Sequence, residues 1–210
     1  MKLEELRRRY CELEGCVEDV GRAIEVICGA YEKGGTVFTC GNGGSAADAE
    51  HIVGELMKGF LSKRRLKEEE RAVLARWGER GIYLAEHLQQ GLRAISLVTS
   101  VSLATAFAND VAAELVFAQQ VYGLGRAGDV LIAISTSGRS KNVVYAVVAA
   151  KARGLGTIGL SGASGGILKE LCDVTICAPS TCTPEIQEYH EVIYHCICEE
   201  VEARFFENSR

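Results

Sequence analysis

Proline is nearly missing: Pro179 and Pro184 are the only two among 210 residues. No proline- or serine-rich linker divides the chain, so one domain spanning residues 1–210 is expected. An excess of basic residues is also lacking. The formal net charge of -5 offers no clustered positive face and excludes a nucleic-acid partner as the working expectation. No apolar run approaches the ~18 residues that cross a bilayer, and the opening Met1–Gly15 segment lacks the apolar stretch of a secretion signal. A cytoplasmic protein without a membrane partner is therefore expected. Cysteine is plentiful, with nine residues, but the number is odd and no CxxC pair occurs. Cys196 and Cys198 stand two apart in a helical pattern and so face different sides. Neither a disulfide framework nor a cysteine zinc site is implied. Most of the cysteines read as small buried apolar residues.

What is present is alternation. Apolar residues recur at three- and four-residue steps from Leu6 to Ile24, predicting one long helix over about 3–32, stopped by Gly34-Gly35. Five short apolar runs follow as strands: 36–40, 94–98, 129–134, 156–160 and 174–177. Helical patterns lie between them near 45–60, 101–124, 141–153 and 166–171, and a last helix covers about 184–206. This order implies an α/β three-layer sandwich with a five-stranded, mostly parallel sheet. In such sheets ligands bind beyond the carboxyl ends of the strands. Residues 61–92 interrupt the pattern with Lys63-Arg64-Arg65, Lys67 to Arg71, Arg76 and Glu79-Arg80. They read first as a solvated charged excursion, and secondly as a phosphate-attracting or partner-binding lid.

Two strand ends open into loops suited to phosphate. Gly41-Asn42-Gly43-Gly44-Ser45 begins a helix, where free backbone N–H groups and the helix dipole favour an anion. It is neither a dinucleotide fingerprint nor a P-loop. Ser135-Thr136-Ser137-Gly138-Arg139-Ser140 places four hydroxyls at a strand–helix junction, more than an N-cap needs. A third turn, Ser161 to Gly166, reads as structural. Two hydroxyl- and glycine-rich cradles without a nucleotide motif point to a monophosphate ester.

The chain has four histidines. His51 and Glu55 sit four apart on the helix behind the first cradle and project within about 40° of each other. On the last helix, His195 lies about 80° round from Gln187 and His190 about 60° the other way, so geometry leaves both open. His87 falls in the charged excursion and reads as a surface residue. A carboxylate and an imidazole beside a phosphate suit proton transfer alpha to a carbonyl. Together with Gln187 and His51, the same groups suit a divalent transition metal.

Gly41 to His51, Glu55-Leu56, Asn109-Asp110, Gly128 to Val143 and Ile186 to His190 together resemble the phosphoheptose isomerases. These SIS-domain proteins interconvert sedoheptulose 7-phosphate and glycero-manno-heptose 7-phosphate. The resemblance implies Glu55 as general base and His195 as general acid. It implies substrate contacts from Asn42, Gly43, Gly44, Ser45, Glu55, Asn109, Asp110 and Gln187, and phosphate contacts from Ser135, Thr136, Ser137 and Ser140. It also implies zinc on His51, Glu55, Gln187 and His195, as in some members, and a homotetramer with sites at subunit contacts, the first helix serving oligomerisation. Met57-Lys58-Gly59-Phe60 departs from the family's GRF-like run. There Gly59 cannot stand for the arginine, and Lys58 is the nearest cation. Competing readings are a non-catalytic SIS-domain protein binding a partner such as the DnaA initiator, and a phosphosugar sensor. Neither needs His51, Glu55, Gln187 and His195 together, and all four are present.

Overall fold

The computed structural model describes residues 2–206. Its centre is a five-stranded parallel sheet built from β1 (Val37–Cys40), β2 (Ala94–Ser96), β3 (Val130–Ile134), β4 (Gly156–Ser161) and β5 (Val174–Cys177), in the order β2-β1-β3-β4-β5. Every residue of β1 and β3 is buried, as expected of strands covered on both faces. Val130, Ile132 and Ile134 point to one apolar layer and Leu131 and Ala133 to the other. The three-layer sandwich expected from the alternation is the observed one.

The first layer contains α1 (Leu3–Arg9), α2 (Val17–Glu32), α3 (Gly44–Met57) and α10 (Thr183–Phe206). The second is formed chiefly by α7 (Val116–Leu124), α8 (Lys141–Ala152) and α9 (Leu168–Leu171). α3 and α10 pack directly against each other. α2 ends in a Schellman turn: Gly34 and Gly35 donate to the carbonyls of Tyr31 and Ala30, with Gly34 at φ +76°.

Three stretches differ from expectation. The single helix over 3–32 is broken at Tyr10 (φ -129°, ψ 74°), and Cys11–Cys16 tighten into a 3₁₀ turn before α2 resumes. Leu6 and Leu13 are both fully buried across the break, and Leu3 N–H bonds Glu200 on α10. The stretch 101–124 is also interrupted, α6 (Val101–Phe107) giving way to a π turn over Ala108–Ala112 and a 3₁₀ turn over Ala113–Leu115. Asn109 donates to Asp110 there, and both residue types compete poorly for helix. Despite the expectation of no such run, Val101–Leu124 is long and apolar enough by composition to cross a membrane. Its apolar side chains are largely exposed, Val101 at 67% and Val111 at 64%. Finally, the charged excursion folds into α4 (Glu68–Ala75) and α5 (Gly78–His87). α4 buries nothing, as a solvated element should, but Arg64 is only 1% exposed.

All nine cysteines are free. Cys16, Cys28, Cys40, Cys196 and Cys198 are buried, and burial pushes the Cys40 thiol up to about 12, as for an inert apolar filler.

Candidate functional site

Adjacent strands β1 and β3 send their connections to opposite sides, β1 towards β2 and β3 towards β4. The loops at their carboxyl ends therefore flank the crevice where such sheets bind ligands. Both are the cradles read from sequence, and a reciprocal amide pair joins them. Asn42 and Asn142 exchange hydrogen bonds of 2.9 and 2.8 Å.

The second cradle is organised by Ser135, which is buried at the end of β3. Its Oγ lies 3.0 Å from the Ser140 hydroxyl and 3.5 Å from that of Ser137. Gly138 turns at φ +63°, where a Cβ would sit 2.0 Å from the Gly165 carbonyl. The third glycine turn thus buttresses the second, the structural role expected of it. Ser137 remains exposed and Thr136 half-buried.

The first cradle meets α10. A Cβ on Gly44 would lie 2.3 Å from Gln187 Nε2, so glycine makes room for that amide. One turn along α3, Asp48 is pushed up to about 6 by burial and by Glu191. Beyond it, His51 Nε2 stands 3.3 Å from Glu55 Oε1 and 3.4 Å from His195 Nε2. Glu55 is buried, and its second oxygen meets Lys58 Nζ at 3.2 Å. Lys58 therefore supplies a cation at the Glu55 carboxylate, close to where the resemblance places the family's arginine in sequence. Burial, and then the neighbouring His51, hold His195 below the usual imidazole range, although Glu191 and Glu55 oppose this.

His190, which geometry left open, turns away. It is fully buried with Nε2 3.2 Å from the Ser161 carbonyl. His87 stacks on Tyr83 at the surface. Asn109 and Asp110 are exposed and pair with each other.

His51, His195 and Glu191 bring ligand atoms within 4.8 Å of one another. Two imidazoles and a carboxylate are a zinc-type donor set. The 3.4 Å between the Nε2 atoms matches the roughly 3.3 Å edge of a tetrahedron with Zn–N near 2.0–2.1 Å. The group differs from the four ligands the resemblance implied. Glu191 joins it because Gln187, Glu191 and His195 succeed one another at four-residue steps on one face of α10. Glu55 bridges His51 and Lys58, and Gln187 lies against Gly44. Helical spacing alone would have found Glu191. No sequence signal marks Tyr194, whose hydroxyl sits 2.9 Å from His51 Nδ1.

A family model described as the SIS domain matches residues 4–95 and 71–162. The phosphoheptose isomerase of Nitratiruptor sp. is 44% identical over 211 residues, covering 97% of this chain and all of that protein. The chain belongs to the phosphoheptose isomerase family. Another family member, phosphoheptose isomerase 2 of Campylobacter jejuni, is 44% identical across 88% of this chain and 79% of its own length. The solved phosphoheptose isomerase of Neisseria gonorrhoeae superposes with a TM-score of 0.75 at 33% identity, covering 95% of this chain and 94% of that one.

Proposed function

We propose that the chain is an aldose–ketose isomerase that interconverts sedoheptulose 7-phosphate and glycero-manno-heptose 7-phosphate through an enediol. The observation that carries this reading is the convergence of Glu55, His51 and His195, from helices far apart in sequence, with successive contacts of 3.3 and 3.4 Å. A carboxylate and an imidazole beside two phosphate-type loops are what proton transfer next to a carbonyl requires.

In the ketose-to-aldose direction, Glu55 takes a proton from C1 and His195 gives one to the C2 oxygen, forming the enediol. Glu55 then returns its proton to C2 as His195 accepts the O1 proton, and the C1 aldehyde forms. The protons balance, and each residue ends as it began. Ser135, Thr136, Ser137 and Ser140, with the loop N–H groups, hold the phosphate. Asn42, Gly43, Gly44, Ser45 and Gln187 line the sugar. Lys58 steadies the Glu55 carboxylate. Zinc would be held by His51, His195 and Glu191, with Glu55 and Gln187 as the further candidates. When bound, it supplies Lewis-acid polarisation of substrate oxygens.

The protein is further proposed to be a cytoplasmic homotetramer; the exposed apolar side chains of Val101–Leu124 support the assembly, with a second copy covering that face and α1–α2 adding to the contact. In that assembly Asn109 and Asp110 reach a neighbour's substrate. Incubating the protein with sedoheptulose 7-phosphate and following the aldehyde proton by NMR tests the activity. No aldose, with or without added zinc, sinks it.

A further inference from the structure

The mechanism leaves residues 61–92 without a role, yet that excursion contains Arg64, the bulkiest of the fully buried side chains among the described residues. Its backbone is left-handed, φ +42°, the one such non-glycine residue described, a conformation that persists only where surroundings hold it.

The surroundings do so. Arg64 Nε donates to Glu202 Oε1 at 2.6 Å, Nη1 to the Leu56 carbonyl at 2.7 Å and Nη2 to the Glu55 carbonyl at 3.0 Å. The guanidinium also lies over the Phe206 ring at 4.7 Å. The two carbonyls belong to the last turn of α3, where no further helical N–H is available and a cation is favoured. Glu202 in turn accepts from the N–H groups of Phe60, Leu61 and Ser62 at 2.8, 2.7 and 3.0 Å. It sits on α10, seven residues after His195, and therefore on nearly the same face.

One ion pair thus joins the backbone of the base to the helix of the acid. We propose that Arg64 and Glu202 are positioning residues that set Glu55 against His195 by anchoring the end of α3 to α10. The proposal rests on the isomerase reading above. Burial alone does not require a charge pair here, since apolar side chains of similar volume stabilise such positions as well or better. What the guanidinium adds is a planar fork that fixes three acceptors at once. Misplacing a reacting group by about 1 Å costs on the order of 10²-fold in rate.

Arg64→Lys keeps the cation but cannot hold all three acceptors. The expected result is a kcat lower by about 10- to 100-fold, with KM within about two-fold and a folded protein by circular dichroism. Glu202→Gln should act in the same direction. A folded Arg64→Lys protein with wild-type kcat, or with a raised KM and unchanged kcat, overturns the proposal. So does failure of both variants to fold, which would make the pair a folding element only. Wild-type turnover of sedoheptulose 7-phosphate is the control for the function itself: its absence removes the isomerase reading. Unchanged amide exchange through residues 54–58 in Arg64→Lys separately removes the anchor.

Discussion

The hydroxyl of Tyr194 lies 2.9 Å from Nδ1 of His51, while Nε2 of the same ring faces Glu55 and His195. The two ring nitrogens of an imidazole are coupled: whatever one bonds decides the proton on the other. With Nε2–H donated to the Glu55 carboxylate, Nδ1 accepts from Tyr194. With Nε2 turned to a metal, Nδ1–H donates to the same oxygen. Tyr194→Phe removes that partner while keeping the edge contacts of the ring with His51 and His195. Activity should fall about 10-fold or more, the usual effect of losing a partner behind a metal-type histidine. Nitrogen NMR of His51 should show a mixed tautomer; an unchanged spectrum and unchanged rate would exclude the role.

Glu55→Gln preserves the volume of a buried side chain and removes the proposed base. Isomerisation should drop by at least 10²- to 10⁴-fold, the span of general acid–base catalysis. The circular dichroism spectrum should match wild type. Residual turnover above a tenth of wild type would transfer the base role elsewhere.

Zinc should bind the chelated protein stoichiometrically by calorimetry. His195→Ala should weaken it by two orders of magnitude or more, since it deletes one of three clustered donors. Replacing Ser137 by Ala should leave this binding unaltered, because the serine sits in the other loop. Equal zinc affinity in wild type and His195→Ala would move the metal site away from this cluster.

His190 is held down to about 4 from its ordinary 6.5, first by burial, with its Ser161 bond opposing. Its folded pKa lies below the unfolded one, so the unfolded chain takes up a proton that the folded chain refuses. The stability is full above about pH 6.5 and is lost as pH falls towards 4, by about 3 kcal/mol for this group. In His190→Leu the Ser161 carbonyl still accepts from Ala178 N–H. Urea unfolding at pH 7 and pH 4.5 should show a smaller pH difference in that variant than in wild type. Identical differences would contradict the assignment.

Much of this architecture was legible in the amino-acid sequence. Short continuous apolar runs and period-3.6 apolar patterns are local, and they placed all five strands and α3, α8 and α10 close to their observed bounds. The turns after β1 and β3 were legible as strand-to-helix junctions because glycine and hydroxyl residues cluster there. His51 with Glu55 was readable as a pair on one helix, whereas the choice of His195 over His190 came only from the family resemblance. The interruption at Tyr10 was not readable, since the periodicity of Leu6 and Leu13 fits a straight helix equally well. The break after Phe107 was marked only by Asn109 and Asp110, poor helix formers that do not specify a π turn.

The chain's own order of residues therefore determined which side chains could share a strand end or a helix face. Only the packing of α3 on α10 decided that His51 would meet His195, that Tyr194 would stand behind His51, and that His190 would turn into the core. The same packing drew Arg64 out of a charged, solvent-like segment and buried it against Glu202. Contacts of that kind join residues some 140 positions apart, as the separations of Arg64 from Glu202 and His51 from His195 make plain. No local period encodes them; they follow from how two apolar faces close on one sheet.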